Sequence, residues 1–157
     1  MSKKTLDEAQ IKTICEKLSH YLADTFVLYV KTLNYHWNMV GSQFFMYHKL
    51  LQEQYEEMAQ ATDELAERIR MLGHPAPGTL AQFQKLSCIE ESDKIPTQEE
   101  MIRELAKIHE MLVEHGHQTI AFTDQVLDQG TSDLLVERIR FHDKQAWLLR
   151  SHFSHSG

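Results

Sequence analysis

Proline and glycine are scarce in this chain, at three and six residues out of 157. Neither continues a helix well, so their rarity leaves room for long uninterrupted helices. Cysteine is rarer still. Cys15 and Cys88 stand apart, with no CxxC pattern and no paired framework. Two such thiols are expected to be buried or inert, and a disulfide is not expected. No run of 18 apolar residues occurs, so no membrane span is expected. The opening segment MSKKTLDEAQ lacks the apolar stretch of a secretory leader, and the expected location is cytoplasmic. An excess of positive charge is also missing. The formal net charge is −7, which favours solubility and attracts cations, and argues against a large nucleic-acid face.

What remains is an ordinary globular composition, 42% hydrophobic and 25% charged. The length suits one domain over residues 1–157, with about 1–5 as a flexible tail. A chain of this size buries roughly 70% of its unfolded surface, so it needs no disulfide or structural metal to fold.

Four long helical stretches are expected. In the first, about Leu6 to Asn38, Ile11, Ile14, Leu18, Leu22, Thr25, Phe26 and Tyr29 recur at three- and four-residue spacing. Gly41 and Ser42 then supply a stop and an N-cap. The second stretch runs from Ser42 to Leu72 and ends at Gly73, with Pro75 and Pro77 beyond it. The short connection makes the first two helices an antiparallel hairpin. A connector from Thr79 to Lys94 holds a short helix over Thr79–Leu86. Thr97 and Glu100 form a capping box that opens the third helix, which runs to about Leu127. Thr131 is expected to cap the fourth, which continues through Arg150. Its apolar side carries Leu134, Leu135, Ile139, His142, Ala146 and Leu149. The fold class is therefore all-α: a ferritin-like four-helix bundle with a short extra helix between helices two and three.

Bundles of this class hold metals with carboxylates and histidines on facing helices. Only one Glu-x-x-His is evident, Glu114 to His117, so a di-iron centre inside one chain has little support. Another set lies in the first hairpin: His36, His48, Asp63 and Glu67. Asp63 and Glu67 are four residues apart and share a helix face. His48 lies about 60° from Asp63 around the helix, yet roughly 22 Å along it. These residues cannot meet in one chain. A two-fold axis that packs helix two against its copy brings His48 and His36 of one chain to Asp63 and Glu67 of the other. Nitrogen and oxygen donors without thiolate suit iron(II), with zinc or cobalt as substitutes.

The segments His36-Trp37-Asn38-Met39-Val40-Gly41-Ser42-Gln43-Phe44-Phe45, His48, and Asp63 through Gly73, with Thr131-Ser132-Asp133-Leu134-Leu135 and Trp147 near the end, resemble the Dps family, the miniferritins. The resemblance spans nearly the whole chain. It implies a dodecameric shell with ferroxidase sites at the two-fold interfaces. It implies oxidation of iron(II) with hydrogen peroxide or dioxygen, storage of the ferric mineral inside, and protection against oxidative stress. His36, His48, Asp63 and Glu67 match the family's iron ligands. Trp37 matches a tryptophan thought to intercept stray oxidising equivalents, although packing explains it equally well.

Tyr35, Tyr47 and Tyr55 are read as packing residues. The resemblance places Asp124, Asp128 and Asp133 at three-fold pores, against the plainer reading of a solvated turn. Glu114 and His117, with His109 and His115, offer an adventitious metal site, against the plainer reading of a solvated helix face, and His152 and His155 are read as tail residues without a specific role. DNA-binding relatives often use a lysine-rich tail, whereas this one has only Lys3 and Lys4. Twelve acidic chains would repel a polyanion, so DNA binding is expected to be weak or absent. The alternatives are a DNA-binding protective protein of the same fold, and a structural shell with zinc in the site.

Overall fold

The computed structural model describes residues 6–153. It contains helices α1 (Glu8–Asn38), α2 (Phe44–Met71), α3 (Leu80–Leu86), α4 (Gln98–Gln125) and α5 (Gln129–Arg150), and no strand among the described residues. Two antiparallel hairpins, α1/α2 and α4/α5, pack through α1 against α4, while α3 lies on α1. This is the expected all-α, ferritin-like bundle with one long crossover. The expected tail at 1–5 and His155 lie outside the described residues.

Local chemistry sets the helix ends. Asp7, Thr79 and Thr97 each accept from the backbone N–H three residues on, and Gln10, Gln82 and Glu100 return the bond. At the end of α2, Gly73 takes a positive φ of 93°. Its N–H donates to the Arg70 carbonyl and that of His74 to the Ile69 carbonyl, so the last turn closes on itself as expected.

Two starts differ from expectation. Gln43, without a side-chain bond, precedes α2 in place of Ser42. Asp128, rather than Thr131, caps α5. The second difference has a clear cause: Asp128 Oδ1 accepts from the Thr131 N–H at 3.2 Å and from Arg68 at 2.7 Å. A carboxylate at a helix N-terminus that also faces a guanidinium is a stronger cap than a hydroxyl.

The core follows the apolar stripes. Ile14, Leu18 and Leu22 of α1 meet Leu51, Met58 and Leu65 of α2 and Ile102, Leu105 and Leu112 of α4, all buried. At Gly116 an added Cβ would lie 2.7 Å from Ile139 Cγ1. The missing side chain lets α5 approach α4 closely. Polar seams also cross the bundle. Arg138 pairs with Glu57, and Lys31 with Glu104 at 2.8 Å, where Tyr35 also donates to the carboxylate. Each pairing keeps a largely buried cation neutralised.

Candidate metal centre

His36 lies in the last turn of α1 and His48 in the second turn of α2. The hairpin stacks their rings, with centroids 3.7 Å apart and planes 12° from parallel. Each Nδ1 contacts the other residue's backbone carbonyl, at 2.7 Å for His36 and 2.8 Å for His48. A carbonyl only accepts, so both Nδ1 atoms carry the proton and donate. In the neutral rings this leaves the lone pair on Nε2. A histidine ligand fixed by a backbone carbonyl at one nitrogen presents the other to a metal. Tyr55 packs edge-on to His36, 5.1 Å between centroids, and Phe44 lies against His48. The histidine pair is therefore held on both sides.

Asp63 and Glu67 are exposed on α2, and neither makes an ion pair or side-chain hydrogen bond among the described residues. They are four and five turns along the helix from His48, so one chain brings together the two histidines but not the carboxylates. The hairpin end beside the histidines is apolar and open: Trp37, Val40 and Phe45 are 67%, 80% and 68% exposed. Clustered large apolar side chains in solvent mark a surface that another molecule covers.

The other singled-out residues separate. Tyr35 and Tyr47 are buried packing residues. Asp124 accepts from Ser132 at 2.6 Å, and Asp133 is exposed. Asp128 is 5% exposed, and both of its oxygens are engaged by Arg68 and Thr131. It serves the helix junction and offers no free oxygen to a pore. Glu114 and His117 are exposed, as expected of a solvated face. His109 is not on that face. It is fully buried on the α5 side and hydrogen-bonded to His142, Nδ1 to Nδ1 at 2.8 Å, one ring donating and the other accepting. His115 is half-buried, 3.4 Å from buried Asp24. His152 packs edge-on to Tyr47, 4.8 Å between centroids, so it is not an idle tail residue. Cys15 is buried, but Cys88 is exposed, and both are free thiols. No helix among the described residues is long and apolar enough to cross a membrane.

Residues 15–155 match the Ferritin-like domain family. DNA protection during starvation protein 2 of Bacillus anthracis is 34% identical over 140 residues, covering 89% of this chain and 96% of that protein. The crystal structure of antigen TpF1 from Treponema pallidum superposes with a TM-score of 0.91 at 33% identity, covering 97% of this chain and 98% of that one. A Dps protein from Vibrio cholerae, described as a member of a broad superfamily of ferritin-like diiron-carboxylate proteins, gives 0.91 at 27% identity, covering 98% and 97%. A bundle of this topology, with this extent of likeness along the chain, belongs to the Dps family of ferritin-like proteins.

Proposed function

We propose that this protein oxidises iron(II) and stores the ferric product in a hollow, dodecameric, cytoplasmic shell. In this reading His36 and His48 of one chain and Asp63 and Glu67 of its two-fold mate bind iron(II) as substrate. The observation that carries it is the crossed histidine pair. Two rings locked in one tautomer, each with its Nε2 unengaged by the protein, are arranged for a cation. The donor set fits iron(II): two imidazole nitrogens and two carboxylates that have no other partner among the described residues. Trp37, Val40 and Phe45, exposed on one chain, support burial against a second. Family membership supports an iron-storage and protective role.

The chain's residues then have distinct tasks. Asp63 and Glu67 neutralise the incoming cation. The carbonyls of His36 and His48 hold the opposite imidazoles so that no reorientation accompanies binding. Two iron(II) ions give up one electron each, and hydrogen peroxide takes both electrons and two protons to become two waters. Paired delivery avoids the one-electron step that releases hydroxyl radical. Dioxygen is the other candidate oxidant. Asp124 and Asp133, at the α4–α5 junction, are candidates for a cation entry path, and Trp37 for interception of stray oxidising equivalents.

The test is the rate of iron(II) oxidation with peroxide in the wild type and in Asp63→Ala. A fall of at least about tenfold is expected, the scale on which even supporting residues at metal sites act. An unchanged rate would remove Asp63 from the site. Equal hydroxyl-radical yield with and without the wild-type protein, read by spin trapping, would sink the protective role.

A further inference from the structure

Apart from the histidine pair, one group of chemically distinct donors among the described residues converges from three parts of the chain. Asp24 lies on α1, Cys88 in the crossover after α3, and His115 on α4. One ligating atom from each lies within 4.8 Å of the other two. We propose that Asp24, Cys88 and His115 form a second cation site, for a thiophilic divalent transition ion such as zinc(II), with water completing the shell.

Distances support the assignment. Ligand atoms about 2.0–2.3 Å from a tetrahedral ion stand roughly 3.3–3.6 Å from one another. Cys88 Sγ is 3.6 Å from Asp24 Oδ2, and His115 Nδ1 is 3.4 Å from the same oxygen. The carboxylate is also oriented. Ser87 Oγ donates to Asp24 Oδ1 at 2.7 Å and the Cys88 N–H at 2.9 Å. Both bonds use Oδ1 and leave Oδ2 facing the thiol and the imidazole. That is the outer-shell arrangement that fixes a carboxylate ligand.

Chemistry favours a thiophilic ion over calcium or magnesium. The set offers one sulfur, one nitrogen and one oxygen, and Met111 Sδ lies 3.5 Å from Cys88 Sγ as a further soft donor. Asp24 is 3% exposed, so its negative charge is concentrated where solvent screens it weakly. The site opens into a cleft of about 250 Å³ that Lys17 and His20 also line, which gives an ion and its water a way in. Lys17 holds its ammonium over the Phe122 ring, 5.8 Å from the centroid. Without an ion, the Cys88 thiol donates its proton toward Asp24 Oδ2. An ion takes the place of that proton, which passes to solvent. The bound ion would tie the crossover to both hairpins, since its ligands come from α1, the crossover and α4.

Cobalt(II) reports the thiolate directly. Metal-stripped full-length protein titrated with cobalt(II) is expected to develop a thiolate-to-cobalt charge-transfer band in the near ultraviolet, and zinc(II) should displace it. The histidine–carboxylate residues contain no sulfur and contribute nothing to this band. The band should vanish in Cys88→Ser and persist in Cys15→Ala. His115→Gln should weaken cobalt affinity by at least about tenfold. Zinc(II) should raise the melting temperature of the wild type more than that of Cys88→Ser. Absence of the band, its survival in Cys88→Ser, or full affinity in His115→Gln overturns the proposal. Both Cys88 and His115 are partly open to solvent, so these variants are expected to fold.

Discussion

The imidazoles of His36 and His48 lie face to face, 3.7 Å between centroids, and each donates Nδ1–H to the backbone carbonyl of the other. Neither ring can turn without breaking its own bond to the backbone of the other residue. His48→Phe keeps an aromatic partner for His36 but deletes one ring nitrogen pair and one of the crossed bonds. Iron(II) oxidation is expected to fall at least about tenfold. The stability loss should stay near 1 kcal/mol, the net value of one such hydrogen bond. Stopped-flow oxidation and thermal melting measure the two. Wild-type oxidation in this variant would dissociate the histidine pair from the chemistry.

A site shared between two chains makes a stronger prediction through mixing. Chains carrying His36→Ala and His48→Ala, and chains carrying Asp63→Ala and Glu67→Ala, should each be inactive alone. Dissociated together in equal amounts and reassembled, they form hybrid dimers in which one of the two sites is intact. With random pairing about a quarter of wild-type sites return, and activity with them. If all four ligands acted within one chain, mixing would restore nothing.

The fold was legible because its signals are local. Apolar stripes, the Thr97–Glu100 box and the Gly73 stop each depend on residues a few positions apart, and the helices follow them. The histidine pair was legible as residues, but its crossed hydrogen bonds depend on the hairpin's exact register. Other features needed the fold itself. Asp128 reads as a turn residue until Arg68, 60 positions away, is placed beside it. In sequence His109 groups with Glu114 and His117, which are exposed, yet it occurs on the stripe that faces α5. Asp24, Cys88 and His115 come from three separate segments, and no spacing rule connects them.

The buried His109–His142 pair should make stability sensitive to acid. Burial holds both imidazoles neutral, His109 down to about 3 and His142 well below its usual value, with Arg138 and the neighbouring ring opposing a second charge. Arg138 is itself paired with Glu57 of α2, and Tyr21 of α1 closes the other side of His142. Both Nε2 atoms are buried without a partner among the described residues, so no acceptor rewards protonation. The unfolded chain takes up these protons near pH 6.5, whereas the folded chain does not. The pair's contribution is therefore intact above about pH 6.5 and is lost as pH falls towards the folded values. Each histidine adds a slope of about 1.4 kcal/mol per pH unit within that window. Denaturant midpoints measured from pH 7.5 to 5 should fall more steeply for the wild type than for His109→Leu/His142→Leu. Parallel lines for the two proteins would refute the linkage.

Leu127 closes α4 in a conformation that its side chain disfavours. Its φ is +66°, and the N–H groups of Leu127 and Asp128 donate back to the Asp124 and Thr123 carbonyls at 3.1 and 2.8 Å. This is the same closing pattern that Gly73 completes on α2, here with a branched residue at the left-handed position. Such a position costs an L-residue about 1–2 kcal/mol. A glycine there loses part of that gain through the greater freedom of the unfolded chain. Leu127 is 59% exposed, so little core contact is forfeited. Leu127→Gly should therefore stabilise the folded chain by up to about 1 kcal/mol, read as a higher melting temperature. A lower melting temperature would refute the strain assigned to Leu127.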